Sequence, residues 1–329
     1  MREHLQRLLR HVRLQRAIAA KWRRDRQVLP LVAAHRELYF NIHRAFWTSL
    51  GSFPQLAPPR TRNEAIQWCK LFDQRPEHIQ CCDKLAVRDL VRARAGEQHV
   101  VPLLQVCDRF DQIDFDALPD AFVIKPNHDA GSTILVRNKA ALDRGDAARR
   151  IGARLRRRYG WTKGEWAYAY VRPRVLVEEF LEPEAPSPPP DYKFHCDGGR
   201  VLWCGYHYDR GRDVKVQQVD RDGASITGVR LDHRFGAGTA FVRPPEWDRM
   251  IELAEALAAG FRMLRVDLYR TGGRILVGEL TVWPVSGFSD AGLFNRPGFF
   301  GDIAFDDPRP PLLPSLGPPA NPRARRRRS

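Results

Sequence analysis

Arg265 to Gly287, RVDLYRTGGRILVGELTVWPVSG, carries an arginine and two carboxylates at spacings that could do chemistry. Apolar and charged residues alternate from Arg265 to Tyr269, Thr271-Gly272-Gly273 offers a turn, and Ile275 to Val282 runs back, which predicts a β-hairpin. Glu279 and Thr281 are two apart and leave their strand on one side, and Arg265 shares a face with Asp267 by the same rule. If the hairpin pairs in register, Asp267 converges with the Glu279/Thr281 face. Such hard oxygen ligands on rigid strands suit Mg²⁺ carrying nucleotide phosphates. An ordinary hairpin with solvated carboxylates satisfies the same pattern, so the reading depends on residues upstream.

Phe122 to Val136 reads strand, small-residue loop, strand: FVIKP, NHDAGST, ILV. Loop amides freed by Gly131 and its small neighbours can point at a phosphate, and Lys125 at the strand end can reach the same anion. A surface hairpin with a snorkelling lysine is the alternative. Neither GxxxxGK[ST] nor GxGxxG is present, so Walker and Rossmann sites do not apply. Further on, RVLVEEFL puts Glu178 and Glu179 where a strand leaves one lobe. An adenine edge could bond the backbone of Phe180 and Leu181 there, its amino group facing a carboxylate. Asp191 could reach ribose hydroxyls, and Lys193 alternates to the same face. Spacing alone equally allows a solvated strand end.

The elements that must hold these residues are legible as periodicity. Residues 3–26 form an amphipathic basic helix and about 31–50 a second, aromatic one; Asn63 to Leu71 follows, capped by Thr61 or Asn63. Asp83 to Arg94 reads as one helix capped by Asp83, Val100 to Val106 as a strand, and Asp143 to Tyr159 as a helix. A Pro-rich loop, EPEAPSPPP, precedes strands Asp191 to Cys196 and Val201 to Tyr206, joined at Asp197-Gly198-Gly199, and Trp247 to Phe261 is helical. After Phe305 proline and arginine dominate, predicting an irregular tail.

The chain has 329 residues, 43% hydrophobic and 28% charged, the balance of a globular protein with a sizeable core. It contains no apolar run long enough to span a bilayer, and the charged N-terminus lacks the apolar core of a secretory signal. Six cysteines without CxxC spacing point to a reducing, cytoplasmic setting. Of the net charge of +15, residues 1–26 supply +7 and residues 321–329 supply +5. The middle is close to neutral, which argues against a nucleic-acid groove. The basic first helix could dock on the body or lie peripherally on an anionic inner membrane face; docking is preferred. No GxSxG occurs and no cysteine has an activating context, so a serine or cysteine hydrolase is disfavoured.

CDKLAVRDLV with Lys84, VVPLLQV followed by FDQIDFDALPDAFVIKPNHDAGSTILV, then VLVEEFL, DYKFHCDGGRV and RVDLYRTGGRILVGELTVWPVSGF, together with the approach RTRNEAIQWCKLFDQRP, resemble the TupA-like branch of the ATP-grasp superfamily. The resemblance covers about residues 61 to 306. It implies an α+β ATP-grasp fold in which two α+β lobes clamp ATP behind an N-terminal helical extension. The division expected is a basic helical extension (1–60), an N-terminal lobe (61–120), a small ATP-grasp subdomain (121–182), a large subdomain with the metal site (183–306) and a tail (307–329).

By position the resemblance gives Lys84 and Lys125 the α- and β-phosphates, and makes Asn127, Gly131, Ser132 and Thr133 a loop over the triphosphate. Glu178, Glu179, Phe180, Leu181 and Asp191 would hold the nucleoside, Lys193 a phosphate, and Asp267, Glu279 and Thr281 the Mg²⁺. Thr281 stands where the superfamily usually has Asn, and His128 and Asp129 where a more glycine-rich loop is usual. The expected activity is ATP-dependent carboxylate–amine ligation through an acyl phosphate, with small-molecule or glycan-linked substrates, in surface polysaccharide or glycopeptide biosynthesis. Lys125 and Arg265 would act at the reacting atoms, Arg265 on the acyl phosphate and the oxyanion after it. Acceptor contacts are expected within Ser286 to Phe300. Kinase-like phosphoryl transfer in the same cleft and a non-catalytic nucleotide-binding adaptor are the competing readings.

Overall fold

The computed structural model describes residues 2–28, 35–157, 159–181, 189–209, 213–301 and 303–305. The Pro/Arg-rich tail and most of the Pro-rich loop before Asp191 lie outside the described residues. Helices α1 (Arg2–Val28) and α2 (Arg36–Leu50) pack on each other, with Ile18 and Tyr39 fully buried and the Tyr39 hydroxyl donating to Asp25 at 2.7 Å. The second half of α1 thus docks on the body, while Leu9 and Val12 nearer its start are exposed.

Helix α3 (Arg62–Phe72) starts at Thr61 in a capping box: the Thr61 hydroxyl accepts from the Glu64 amide while the Glu64 carboxylate accepts from the Thr61 amide. Such a cap contributes about 1 kcal/mol. The helix expected over Asp83 to Arg94 is preceded by a separate helix α4 (Pro76–Cys82) and begins only at Val87, as α5 (Val87–Ala95), with Lys84 in the turn between them. The Asp83 carboxylate accepts from the Leu85 amide at 2.8 Å, a local bond that competes with helix, and the Lys84 amide is drawn to the carbonyl of Asn127 at 2.9 Å.

The strands form two sheets. In the first, β1 (Leu103–Cys107), β4 (Val175–Glu179), β2 (Phe122–Pro126) and β3 (Ile134–Val136) lie in that order, with α6 (Arg144–Leu155) packed on β2. Its own core includes Phe115, Phe122, Ile124, Ile151, Val175 and Val177. The second orders β10 (Arg274–Thr281), β9 (Met263–Thr271), β5 (Asp191–Asp197), β6 (Arg200–Tyr208), β7 (Lys215–Asp220) and β8 (Gly236–Ala237). Helix α7 (Trp247–Ala258) covers one face of this sheet, and a short α8 (Gly292–Asn295) follows it. The larger core joins this sheet to the N-terminal helices, with Trp68, Trp166, Trp203, Trp247 and Trp283 almost wholly buried. Side chains of this kind contribute about 1.5–3 kcal/mol each. The strand β7 was not legible, because KVQQVD offers little apolar alternation. All six cysteines are buried and unpaired. No described helix is long and apolar enough to cross a membrane.

Candidate active site

The β9–β10 hairpin turns at Gly272 and Gly273, both at positive φ, as a two-residue primed turn requires. Its register then shifts by one residue between Val277 and Glu279. Gly278 is the extra residue of a bulge; a Cβ there would lie 2.4 Å from the Tyr269 ring. Before the bulge Val277 opposes Leu268 and faces the core; after it Glu279 opposes Asp267 and Thr281 opposes Arg265. Were Gly278 paired in regular register with Asp267, Glu279 would oppose Val266 on the buried face. The next strand continues the row, since Lys193 opposes Asp267, His195 opposes Arg265 and Asp191 opposes Tyr269.

These rows make a dense charge cluster. Arg265 grips both oxygens of Asp267, at 2.6 and 2.7 Å, and lies 3.7 Å from Glu279. Lys193 reaches Asp267 at 2.6 Å and Asp191 at 3.0 Å. Burial would raise the Asp267 carboxyl, but the flanking Arg265 and Lys193 outweigh it and hold it below the ordinary carboxylate range. Burial likewise opposes the Arg265 charge, and Asp267, Glu279 and Asp191 together keep it more firmly protonated than a free arginine.

The first sheet supplies the other wall. Lys125 pairs with Glu178 at 2.6 Å, and Arg88 reaches the same carboxylate at 3.5 Å. Arg88 was missed from sequence, although its spacing from Lys84 was the available signal. Lys84 lies 3.9 Å from Glu279, and its ammonium also donates to the Asp129 carbonyl. Glu179 pairs with Arg274 of β10 at 3.2 Å, tying the two sheets together.

Between the sheets lies a cavity of about 780 Å³. Of the residues named from sequence, Lys125, Thr133, Glu178, Glu179, Phe180, Leu181, Asp191, Lys193, Arg265, Glu279 and Thr281 line it. Lys84 instead borders a small recess shared with Lys125, Glu178 and Glu279. Asp267 lies beneath Arg265 and Lys193 rather than on the wall. Nor are Asn127, Gly131 and Ser132 on the wall. Asn127 is fully buried, accepting from the Arg174 amide and donating to Asp83 and the Arg172 carbonyl, so its side chain is spent on holding the loop. Ser132 donates to Asp129, so the loop is braced by one of the two residues that depart from a glycine-rich pattern and its own serine. Gly131 is exposed at positive φ, with open space where a Cβ would stand.

The donor set fits a hard divalent cation. Glu279 is partly exposed, and the Thr281 hydroxyl is buried at the wall with no hydrogen-bond partner among the described residues. Around these, Lys84, Arg88, Lys125, Lys193 and Arg265 exceed the carboxylates Glu178, Asp191, Asp267 and Glu279 by one charge, a surplus suited to a polyphosphate.

Two sheets facing each other across a cleft, each wall carrying both lysines and carboxylates, define an ATP-grasp protein. A sequence model of the TupA-like ATPgrasp family matches residues 64–296, most of the chain, and the chain belongs to that family. No curated protein matches it significantly. Among solved structures it is similar to D-alanine–D-alanine ligase from Bacillus anthracis, at 17% identity and a TM-score of 0.35 over 62% of this chain and 57% of that one. An L-amino acid ligase from Bacillus licheniformis matches at 15% identity and 0.39, over 65% and 44%. The D-cycloserine synthetase DcsG matches at 16% and 0.36, over 62% of each. The chain thus spans between 44% and 62% of these proteins' own lengths, and overlaps this loose do not bear on activity.

Proposed function

We propose that the protein is an ATP-dependent carboxylate–amine ligase. The observation that carries this reading is the meeting of Lys125, Lys193, Arg265 and Glu279 at one cavity between two sheets, with Lys84 beside Glu279 and Asp267 beneath Arg265 and Lys193. ATP enters with its base against Val123, Leu135 and Phe180 and its phosphates against Lys125, Lys84 and Lys193. Glu178 is engaged by Lys125 and Arg88, so it aims the lysine, and the adenine edge falls to the Phe180 and Leu181 backbone. Glu279, Thr281 and Asp267 are the residues that would hold Mg²⁺, which supplies charge neutralisation at the transferring phosphoryl group.

A substrate carboxylate attacks the γ-phosphorus, the bond to the β-phosphate oxygen breaks, and ADP leaves with an acyl phosphate formed. Arg265, held protonated on the wall, stabilises that acyl phosphate and the oxyanion that forms when an amine adds to its carbonyl carbon. Collapse breaks the carbon–oxygen bond to phosphate and leaves an amide. Cell-surface polysaccharide or glycopeptide assembly, the setting the family's name suggests, is the proposed context. The test is ADP release from MgATP against a panel of amino acids and uronic acids, with product masses. A ligase accumulates ADP beyond one equivalent per enzyme only when acid and amine are both present; continued release with one phosphoacceptor alone supports kinase-like transfer instead.

A further inference from the structure

Glu165 lines the cavity from a segment that the assignments above leave unused. It precedes the 3₁₀ segment Trp166–Tyr170, and its support is rigid. The fully buried Trp166 donates its indole N–H to the Lys70 carbonyl at 3.1 Å, and the Glu165 amide donates to the Gly160 carbonyl at 3.0 Å. A Cβ on Gly160 would meet that of Glu165 at 2.8 Å, so this approach needs the glycine.

Glu165 is only 6% exposed, yet no lysine or arginine nitrogen among the described residues pairs with its carboxylate within 4 Å. Its closest charged neighbour by influence, Lys70, has all three of its donors committed elsewhere: to Gln67 at 2.9 Å, the Lys163 carbonyl at 2.8 Å and the Ser286 carbonyl at 2.7 Å. Burial therefore raises the Glu165 carboxyl, with Lys70, Ser286 and Lys163 opposing, and Ser286 lines the same cavity. A buried carboxylate without an ion pair is costly, and a cation arriving through the cavity relieves that cost.

Ser286 is itself a built feature. Val285 and Ser286 both sit at positive φ, at 52° and 56°, an unusual state for residues with side chains. Helix α3 holds them there: Gln67 donates to the carbonyls of Ser286 and Gly287, and Lys70 to that of Ser286. Glu165 and Ser286 line the same cavity as Glu279 and Thr281, two of the proposed metal ligands.

Resting on the ligase reading above, we propose that Glu165 and Ser286 form the acceptor subsite and bind the primary ammonium group of the amine substrate. The carboxylate supplies the missing ion-pair partner and the hydroxyl a second contact, so a charged amine is selected over an alcohol of the same shape.

The test uses the full chain, wild type and Glu165→Gln, with MgADP bound. Methylammonium chloride and methanol serve as probes by saturation-transfer NMR, beside a thermal shift with MgATP. Wild type is expected to bind methylammonium at least about tenfold more tightly than E165Q, the scale of a lost charged hydrogen bond, and neither protein to bind methanol. Equal methylammonium binding in both proteins, its absence from wild type, or methanol binding at the same strength overturns the proposal. A wild-type chain that MgATP does not stabilise removes the ligase reading and this subsite with it, whereas a normal MgATP shift with a failed methylammonium arm removes the subsite alone. Glu165→Asp keeps the charge and carries the same comparison where E165Q does not fold; loss of the MgATP shift in both variants makes Glu165 structural and also overturns the proposal.

Discussion

Glu279 stands directly across the hairpin from Asp267 because Gly278 occupies a bulge between them and the turn. The bulge, in place of regular pairing at Gly278, turns Glu279 from the core face to the cavity face. It also brings Glu279 within 3.9 Å of Lys84, which comes from a helix–helix turn in a distant part of the chain.

Gly278→Ala is therefore expected to damage both stability and the site. The added methyl would meet the Tyr269 ring at 2.4 Å, and overpacking of this kind costs about 1–3 kcal/mol. The melting temperature should fall, and ATP turnover should fall further than the lost stability explains. Turnover unchanged in the folded variant would separate the bulge from the chemistry.

Arg265→Ala should lower kcat by about 10² to 10³, since one oxyanion contact is worth that much, while ATP affinity changes little. Calorimetric titration of the nucleotide beside steady-state kinetics distinguishes the two. An ATP affinity that falls as steeply as turnover would falsify the role given to Arg265.

Glu178→Ala leaves Lys125 and Arg88 without their shared carboxylate at a largely buried position. Breaking a buried pair by removing one partner costs about 3–5 kcal/mol. Chemical denaturation should show a loss of that order, and MgATP should stabilise the variant less than it does wild type. The paired change Glu178→Gln with Lys125→Met should recover part of the stability and none of the nucleotide response.

Asp267 sets an acid limit. Its carboxyl is depressed from 3.8 to about 2, so it contributes stability that is fully present above 3.8 and lost as pH falls through about 2. In Asp267→Asn that limb of the stability–pH curve should flatten. At neutral pH the same variant should be less stable, because Arg265 and Lys193 lose the charge between them. Thermal melts across the acid range check both expectations.

The sequence alone determined the local features. The helix that starts at Thr61 or Asn63, the paired strands around a double-glycine turn, and the shared face of Glu279 and Thr281 all follow from contacts a few residues apart, where periodicity carries the information; the structure placed the cap at Thr61. It also carried the charged part of the cavity wall from Lys125 to Thr281, through the family resemblance and through alternation at strand ends.

Only the tertiary structure decided which of these faces meet. Strict alternation cannot show that Gly278 adds a residue to its strand, that Asn127 is spent on Asp83 and Arg174, or that Glu178 is braced by Arg88. Glu165 carries no motif, and it shares the cavity wall with Ser286 through a turn that helix α3 holds at positive φ. The physical reason is common to all four: register, burial and charge pairing depend on residues far apart in the chain, and their energies are settled only when the two sheets face each other.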